Sequence, residues 1–572
     1  MCPLMLLPVA LLFLSASISG AAERETFFFS QVFSSTVKPC HDLNEFVCNP
    51  KENPSENLFE TQRAESMKSL ISDFFLNSTD PIVLHLRKIA ERVVLERDEF
   101  ALGKKLGQEA AYGETDVPGI FYPTIDGKLT TKSLLLKFDE YGDDDEHGSC
   151  FYPECPTLFQ GILYGFYHAL SDHPTPFNKS TVYFQRYNST DASYHASANP
   201  EGVDRELLKQ IHASKASYFY MLWAKEAIEE GTFPLEIIAS LRDIFENVRS
   251  EVILMLTECA WMTEEQKKEA VDYMRGGFGT VLGFPDVFFN STRLDEAIGF
   301  IKGKFPLLLE RDYDSRKSCD DTTCQYTRLS EALHLADRIH REENPDFDDG
   351  LDEGNSKSSL LGYNAFNKFT QTVITPAYIH IFKDPYPLGF LYGSIGGTFG
   401  HELFHSLGLL RKPFREHFSF HDTPEIRNAT ICYADYFSSF TLEGAHRTLR
   451  PDGAVKSEEG FADVEGARIA FRALERLLNQ NPKKKRSAAQ QVPFDDFKWF
   501  FIGLASKFCS AESGVDEEAR QLLTYSHPRS AIRANAVVKQ MKAFTDTFHC
   551  LPDDQMYVTK DVCALYPSAR GY

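Results

Sequence analysis

Long hydrophobic runs are scarce in this chain of 572 residues. The apolar N-terminal segment is short for a membrane span, and no other stretch reaches the roughly 20 apolar residues that a transmembrane helix needs. Basic residues are also few, because 60 Lys and Arg stand against 82 Asp and Glu, giving a formal net charge of −22. This charge argues against nucleic acid and anionic membrane surfaces as partners.

Several motifs are missing as well. The sequence has no internal repeat, no Gly-rich phosphate-binding motif and no G-x-S-x-G nucleophile elbow, so a serine hydrolase has no support. The chain is too long for one hydrophobic core and predicts two or more domains. Its 47 Phe residues are ample for large cores.

The motif HELFH carries the strongest chemical signal. Positions i and i+4 of an α-helix share a face, so His401 and His405 can direct both imidazoles at one metal ion. Glu402 then lies about 100° around the helix from His401, where a carboxylate can hold and deprotonate a water molecule. A surface helix can carry this motif by chance. The residues around the motif are apolar here, however, which indicates a buried helix, and buried imidazoles need partners. The motif therefore predicts a metal site.

A zinc site needs a third protein ligand, and the best candidate lies in a later acidic segment. A helix is expected from about Val464, and Glu459 and Asp463 share a face if it starts earlier. Glu459 is the predicted ligand, and Asp463 the predicted acceptor for the spare ring N–H of a ligand histidine. Alone, the two acids also suit a helix N-terminus. Together with HELFH they favour one Zn²⁺ per chain.

These motifs resemble the neprilysin family of zinc endopeptidases, whose pattern is H-E-x-x-H followed by E-x-x-x-D. The segment Tyr363–Phe366 resembles the family's N-A-[YF] strand. His527 and Arg533 keep the family's spacing of six residues. The resemblance runs from about Cys40 to the C-terminus and is strongest after residue 360.

The resemblance implies a mainly α-helical fold with smaller β content. It implies two lobes, in which a thermolysin-like zinc catalytic lobe is capped by a helical lobe around a central cavity. The expected segments are a signal peptide (1–21), an N-terminal tether packing on the catalytic lobe (22–55), a helical cap lobe (56–345) and the zinc catalytic lobe (346–572).

The resemblance also implies the roles of the site residues. Glu402 is the expected base of peptide-bond hydrolysis, and His527 donates a hydrogen bond to the oxyanion. Asn364 and Ala365 bind the substrate backbone, and Arg533 holds a substrate carbonyl. From the residues alone, His527 also fits a turn before proline, and Arg533 a surface cation.

Export is expected from the first residues and from the sequons. Residues 1–21 read as a signal peptide, although no basic segment precedes the apolar core, and an uncleaved anchor is the alternative. We expect a secreted, extracellular glycoprotein without a stable membrane span, and the sequence leaves the oligomeric state open. The five N-x-S/T sequons are Asn77, Asn178, Asn188, Asn290 and Asn428.

Most cysteines should pair in an oxidising compartment. Removing the signal peptide removes one of the 12 cysteines and leaves an odd number. The resemblance implies the pairs Cys40–Cys550, Cys48–Cys509 and Cys432–Cys563, and spacing suggests Cys150–Cys155 and Cys319–Cys324. These pairs leave Cys259 without a predicted partner. It lies in an apolar run, where it fits a buried thiol.

We therefore expect a secreted zinc-dependent endopeptidase that hydrolyses small peptides. The alternative is a catalytically weak or inactive secreted binding glycoprotein on the same fold. A non-peptide zinc hydrolase is a third reading with less support.

One departure from the family pattern concerns the metal helix. After the second histidine the family usually reads G-F-D, whereas this chain has Ser406, Leu407 and Gly408. Loss of an acid that orients a ligand histidine typically costs about 10–100-fold in metal affinity or activity. The sequence thus predicts weakened zinc retention that Gly408→Asp restores.

Overall fold

The computed structural model describes a large part of the chain. The predicted signal peptide, the predicted pair Cys150–Cys155, and the sequons at Asn178 and Asn188 lie outside the described residues. The described residues are 33–34, 36–48, 58–96, 203–310, 322–347, 360–368, 371–383, 386–409, 418–443, 448–481, 495–509, 515–558 and 562–566.

Helices dominate the described residues and strands are few, so the predicted mainly α-helical fold is confirmed. The helices of the N-terminal half are α1 (Leu43–Cys48), α2 (Leu58–Met67), α3 (Asp73–Asn77), α4 (Pro81–Glu96), α5 (Val203–Ser214), α6 (Ser217–Glu229), α7 (Ile238–Glu258), α8 (Glu264–Asp272), α9 (Ser291–Leu309) and α10 (Thr322–Glu343).

The C-terminal half continues the helical pattern. Its helices are α11 (Pro376–His380), α12 (Leu388–Leu391), α13 (Gly397–Ser406), α14 (Pro424–Ser438), α15 (Gly453–Gln480), α16 (Asp496–Ser506), α17 (Val515–Thr524), α18 (Ser530–Val538) and α19 (Lys542–Phe548). A π-helical turn, Tyr392–Gly396, joins α12 to α13.

A small sheet lies beside the metal helix. Its strands are β1 (Gly279–Leu282), β2 (Ala365–Lys368) and β3 (Gln371–Ile374), in the order β1-β3-β2. β3 pairs in parallel with β1 and antiparallel with β2. The strand expected at Tyr363–Phe366 is thus part of a hairpin, with β2 at the edge of the described sheet. A second pair, β4 (Leu442–Glu443) and β5 (Thr448–Leu449), is short.

The long helix α15 begins earlier than the sequence predicted. Asp452 is the N-cap, and its side chain accepts a hydrogen bond from the Ala454 N–H at 3.0 Å, which satisfies one of the donors at the helix start. Because the helix is already formed before Glu459, that residue and Asp463 lie one turn apart on one face.

The chain divides into two compact units. The smaller unit spans 78–214 and 309–332, and within it α4 and α5 bury Val83, Leu86 and Leu207. The larger unit comprises the other described residues, and α13, α14 and α15 pack together in its core. The division into a cap lobe and a zinc lobe stays a prediction.

Three disulfides tie distant parts of the larger unit together. They join Cys40 to Cys550, Cys48 to Cys509 and Cys432 to Cys563, as the resemblance implies. Cys324 is disulfide-bonded, and Cys319 lies outside the described residues. Cys259 is a buried free thiol. No helix among the described residues has both the length and the apolar character needed to cross a bilayer.

Candidate metal centre

The helix α13 presents the residues of the predicted motif inside the larger unit. All ten residues of this helix are buried. The rings of His401 and His405 lie one turn apart, with their centroids separated by 4.4 Å. Glu402 is buried on the same helix.

Two glycines allow α13 and α15 to cross at backbone contact. A Cβ atom on Gly400 would lie 2.4 Å from the Gly466 carbonyl oxygen, and a Cβ on Gly466 would lie 2.4 Å from the His401 nitrogen. Such separations leave no room for any side chain. The close crossing brings Glu459 of α15 to the histidines of α13.

Three ligand atoms converge at this crossing. Oε2 of Glu459 lies 3.4 Å from Nε2 of His401 and 3.4 Å from Nε2 of His405. All three side chains are buried, and their ligand atoms lie within 4.8 Å of one another. The structure therefore brings together the three residues that were predicted as metal ligands.

The chemistry of these atoms fits a zinc ion. Two imidazole nitrogens and one carboxylate oxygen form a known donor set of catalytic zinc sites, which leave a further coordination position open. Oε2 of Glu459 is buried and accepts no hydrogen bond of good geometry from the described residues. A buried charge in this position needs compensation, and a divalent cation would supply it.

Asp463 lies behind the first histidine, as predicted. Its Oδ1 is 2.9 Å from Nδ1 of His401. Arg533 donates two hydrogen bonds to the same carboxylate. Burial raises the pKa of Asp463, but Arg533 and His401 more than offset this effect and hold that pKa far below its usual range. Asp463 is therefore ionised and can fix the orientation of His401.

His527 approaches from the segment before α18. Its Nε2 lies 3.2 Å from Oε2 of Glu459, and 54% of its side chain is exposed. Partial burial and the charge of Arg533 lower its pKa, so the neutral imidazole is favoured near pH 7. The structure thus places His527 at the open side of the cluster.

A buried lysine that sequence reasoning missed supports this segment. Lys456 Nζ donates hydrogen bonds to the carbonyl oxygens of Gln521, Tyr525 and His527. Its Cα lies on α15, one turn before Glu459. A lysine in an acidic helix start gives no sequence signal for this role.

The predicted substrate-binding residues lie at the start of β2. Asn364 is exposed, and its Oδ1 accepts a hydrogen bond from the Ala365 N–H at 2.9 Å. Asn367 on the same strand donates from Nδ2 to the Glu402 carbonyl at 2.8 Å and to Ser406 Oγ at 2.9 Å. These bonds fix β2 against the metal helix. Asn367 was not predicted, although its position two residues after Ala365 places it on the same face of the strand.

The space beside Gly408 is occupied by the side chain of Glu458. A Cβ atom on Gly408 would lie 2.1 Å from Oε1 of Glu458, and Oε2 of Glu458 accepts a hydrogen bond from the Leu409 N–H at 2.9 Å. An aspartate at 408 would therefore require the Glu458 side chain to move and would place two carboxylates of the same charge side by side. The expectation that Gly408→Asp improves zinc retention stays a prediction.

Comparison with known proteins supports the resemblance. A family model described as peptidase family M13 matches residues 364–563. Neprilysin-1 of Caenorhabditis elegans is 25% identical over 340 residues, which cover 57% of this chain and 41% of the relative. Endothelin-converting enzyme 1 of Bos taurus is 22% identical over 346 residues, 56% of this chain and 42% of the relative. The match thus spans less than half the length of these two relatives.

A solved structure extends the likeness of fold beyond the matched region. The structure of a Haemonchus galactose containing glycoprotein complex aligns with a TM-score of 0.56 and covers 96% of this chain and 98% of that chain. Its sequence identity is 12%, so this likeness shows the fold alone.

Proposed function

We propose that the chain is a secreted zinc-dependent endopeptidase acting on small peptides, because a family model described as peptidase family M13 matches residues 364–563. The observation that carries the proposal is the convergence of His401, His405 and Glu459 on one point. A bound zinc ion would supply the positive charge that polarises a scissile carbonyl and lowers the pKa of water.

The surrounding residues suit the remaining steps. Glu402 takes the proton of the attacking water and passes it to the leaving amine. His527, with its exposed side chain, donates a hydrogen bond to the oxygen on which negative charge develops. Asp463 holds His401, and Arg533 holds Asp463 and faces a substrate carbonyl through its remaining donors.

The edge strand β2 is the proposed guide for the substrate. Its partner β3 occupies one side, which leaves the other side for an extended peptide that pairs through main-chain hydrogen bonds. The exposed Asn364 and the adjacent Ala365 lie at its start. Since Asn367 ties the strand to Glu402, the peptide is held in register with the base.

The disulfides and the exposed sequons fit a protein of an oxidising, extracellular compartment. Long-range disulfides such as Cys40–Cys550 persist in secreted proteins and are rare in the cytosol. The sequon residues Asn77, Asn290 and Asn428 are exposed, as acceptors of glycans must be. Secretion and glycosylation are therefore part of the proposal.

One assay tests the proposed function. The purified protein is incubated with a mixture of short peptides, with and without a zinc chelator, and the products are read by mass spectrometry. We expect internal cleavages that the chelator abolishes and that added Zn²⁺ restores. Cleavage that is insensitive to the chelator would contradict a zinc mechanism.

The second candidate function is a binding glycoprotein with little turnover. The replacement of the family's acid by Gly408 and the exposed sequons favour it. Zinc content does not distinguish the two candidates, because a silent site can still hold the metal. The peptide assay does, since this candidate predicts zinc binding without cleavage.

A further inference from the structure

The carboxylate of Glu458 occupies the space that a side chain at position 408 would fill. A Cβ atom on Gly408 would lie 2.1 Å from Oε1, 2.9 Å from Cδ and 3.1 Å from Oε2 of Glu458. The absence of a side chain at 408 and the presence of an acid at 458 are thus complementary. With Glu458 in this position, a second carboxylate at 408 would require the Glu458 side chain to move.

The carboxylate is fixed in this place. Glu458 is 4% exposed, and its Oε2 accepts a hydrogen bond from the Leu409 N–H at 2.9 Å. The acceptor lies on α15 and the donor just after the end of α13, so the bond ties the two helices beside the metal centre. Its second oxygen, Oε1, lies over Gly408.

This carboxylate lies beside the segment that follows the second histidine of the motif. His405 turns Nε2 toward Glu459, so its Nδ1 faces away from the ligand cluster. Gly408 and Leu409, which contact Glu458, follow His405 by three and four residues.

We propose that Glu458 is the positioning residue of His405, in place of the acid that the G-F-D pattern of the resembling family has at the position of Gly408. In this arrangement α15 supplies one ligand, Glu459, and a supporting carboxylate for each histidine: Asp463 for His401 and Glu458 for His405. The proposal rests on the proposed zinc site. It replaces the expectation of weak zinc retention, because the supporting acid has moved to a neighbouring helix rather than been lost.

A purely structural role of Glu458 makes a different prediction. If the carboxylate only accepts the bond from Leu409, Glu458→Gln should preserve the function, because the amide oxygen can accept the same bond. If it orients His405 by charge, the same variant should weaken zinc binding by about 10–100-fold. The melting temperature of the metal-free protein should change little in either case.

The first test measures zinc affinity by competition with a chromophoric chelator, with no peptide present. Glu475→Gln, on the same helix but far from the metal centre in sequence, is the matched control and should bind zinc like the parent. Glu458→Gln should release zinc at a chelator concentration about 10–100-fold lower. Affinity within about twofold of the parent would overturn the proposal, since losing a supporting carboxylate costs more than that.

The second test removes the carboxylate at position 458 and introduces one at position 408. Gly408→Asp alone should lower the melting temperature, because its Cβ collides with Glu458. Glu458→Gly alone should lose zinc affinity, and the double variant Gly408→Asp/Glu458→Gly should recover most of it. A double variant no better than Glu458→Gly would overturn the proposal, because distant independent effects add and only coupled positions rescue each other.

The two tests separate this proposal from the proposed function. Suppose that the parent binds zinc, that Glu458→Gln binds it within about twofold of the parent, and that the double variant binds it no better than Glu458→Gly. Only the role of Glu458 is then rejected. If the parent binds no zinc at all, both the metal site and the role of Glu458 are rejected.

Discussion

Arg533 donates two hydrogen bonds to Asp463, from Nε to Oδ2 at 2.8 Å and from Nη2 to Oδ1 at 2.7 Å. The same Oδ1 lies 2.9 Å from Nδ1 of His401. The guanidinium therefore acts on the metal centre through the aspartate, in addition to any contact with substrate. The guanidinium carbon also lies 4.6 Å from the ring centre of Phe508, which restricts its position.

Removing Arg533 should damage the metal centre as well as substrate binding. Arg533→Met leaves the buried carboxylate of Asp463 without its ionic partner, which costs about 3–5 kcal/mol of the free energy of unfolding. Chemical denaturation measures this loss, and chelator competition measures the accompanying loss of zinc affinity. The exposed Arg427, changed to Met, is the control. Normal stability and zinc affinity in Arg533→Met would restrict this residue to contact with the substrate.

The crossing of α13 and α15 depends on Gly466. Gly466→Ala should force the helices apart, because its Cβ would lie 2.4 Å from the His401 nitrogen. Overpacking of this kind costs about 1–3 kcal/mol, and zinc affinity should fall since Glu459 moves away from the histidines. Calorimetry and chelator competition measure the two effects.

Gly299→Ala is the matched control for this prediction. Gly299 also lies within a helix, α9, but a Cβ there would meet nothing within 4 Å. This substitution should stabilise the protein by about 0.5–1 kcal/mol, the usual difference between Ala and Gly within a helix. Equal effects of the two substitutions would refute the role of the close crossing.

Lys456 should influence turnover through His527. In Lys456→Met the carbonyl groups of Gln521, Tyr525 and His527 lose a common donor. We expect zinc to be retained while kcat falls, because the segment that carries His527 loosens. Lys542→Met, at an exposed ion pair, should leave kcat unchanged. A normal kcat in Lys456→Met would show that this lysine does not position His527.

The disulfide Cys432–Cys563 should contribute to the stability of the helices around the site. It joins α14 to the C-terminal segment across a sequence separation of 131 residues. Replacing both cysteines by serine should lower the free energy of unfolding by about 2–5 kcal/mol. Peptide mapping without reduction verifies the pairing in the parent. Recovery of Cys432 in a disulfide with another cysteine would contradict the structure.

The sequence predicted the convergence of the candidate ligands because their spacing determines which helix face they share. The i, i+4 arrangement places His401 and His405 on one face of any helix, and Glu459 and Asp463 follow the same rule on α15. The long-range disulfides and the mainly helical fold followed from the resemblance. These predictions needed only local periodicity or a family pattern.

The residues that the sequence did not reveal act across elements. Lys456 reaches carbonyl groups of a segment far along the chain, and Asn367 ties a strand to the end of α13. Glu458 belongs to no motif that the sequence analysis used, and Gly408 departs from the family pattern. Only the crossing of α13 and α15 places the carboxylate of Glu458 in the space that a side chain at position 408 would fill. The early start of α15 was missed because a single cap residue, Asp452, sets it.

The most direct test of the account compares Glu402→Gln with the parent in one experiment that measures bound zinc and peptide cleavage together. Glu402 is the proposed base and not a ligand, so the variant should retain zinc and lose cleavage by about 10²–10⁴-fold, the usual contribution of general base catalysis. His405→Ala should lose both. Near-normal cleavage by Glu402→Gln would contradict the central claim that this glutamate activates water beside a zinc ion held by His401, His405 and Glu459.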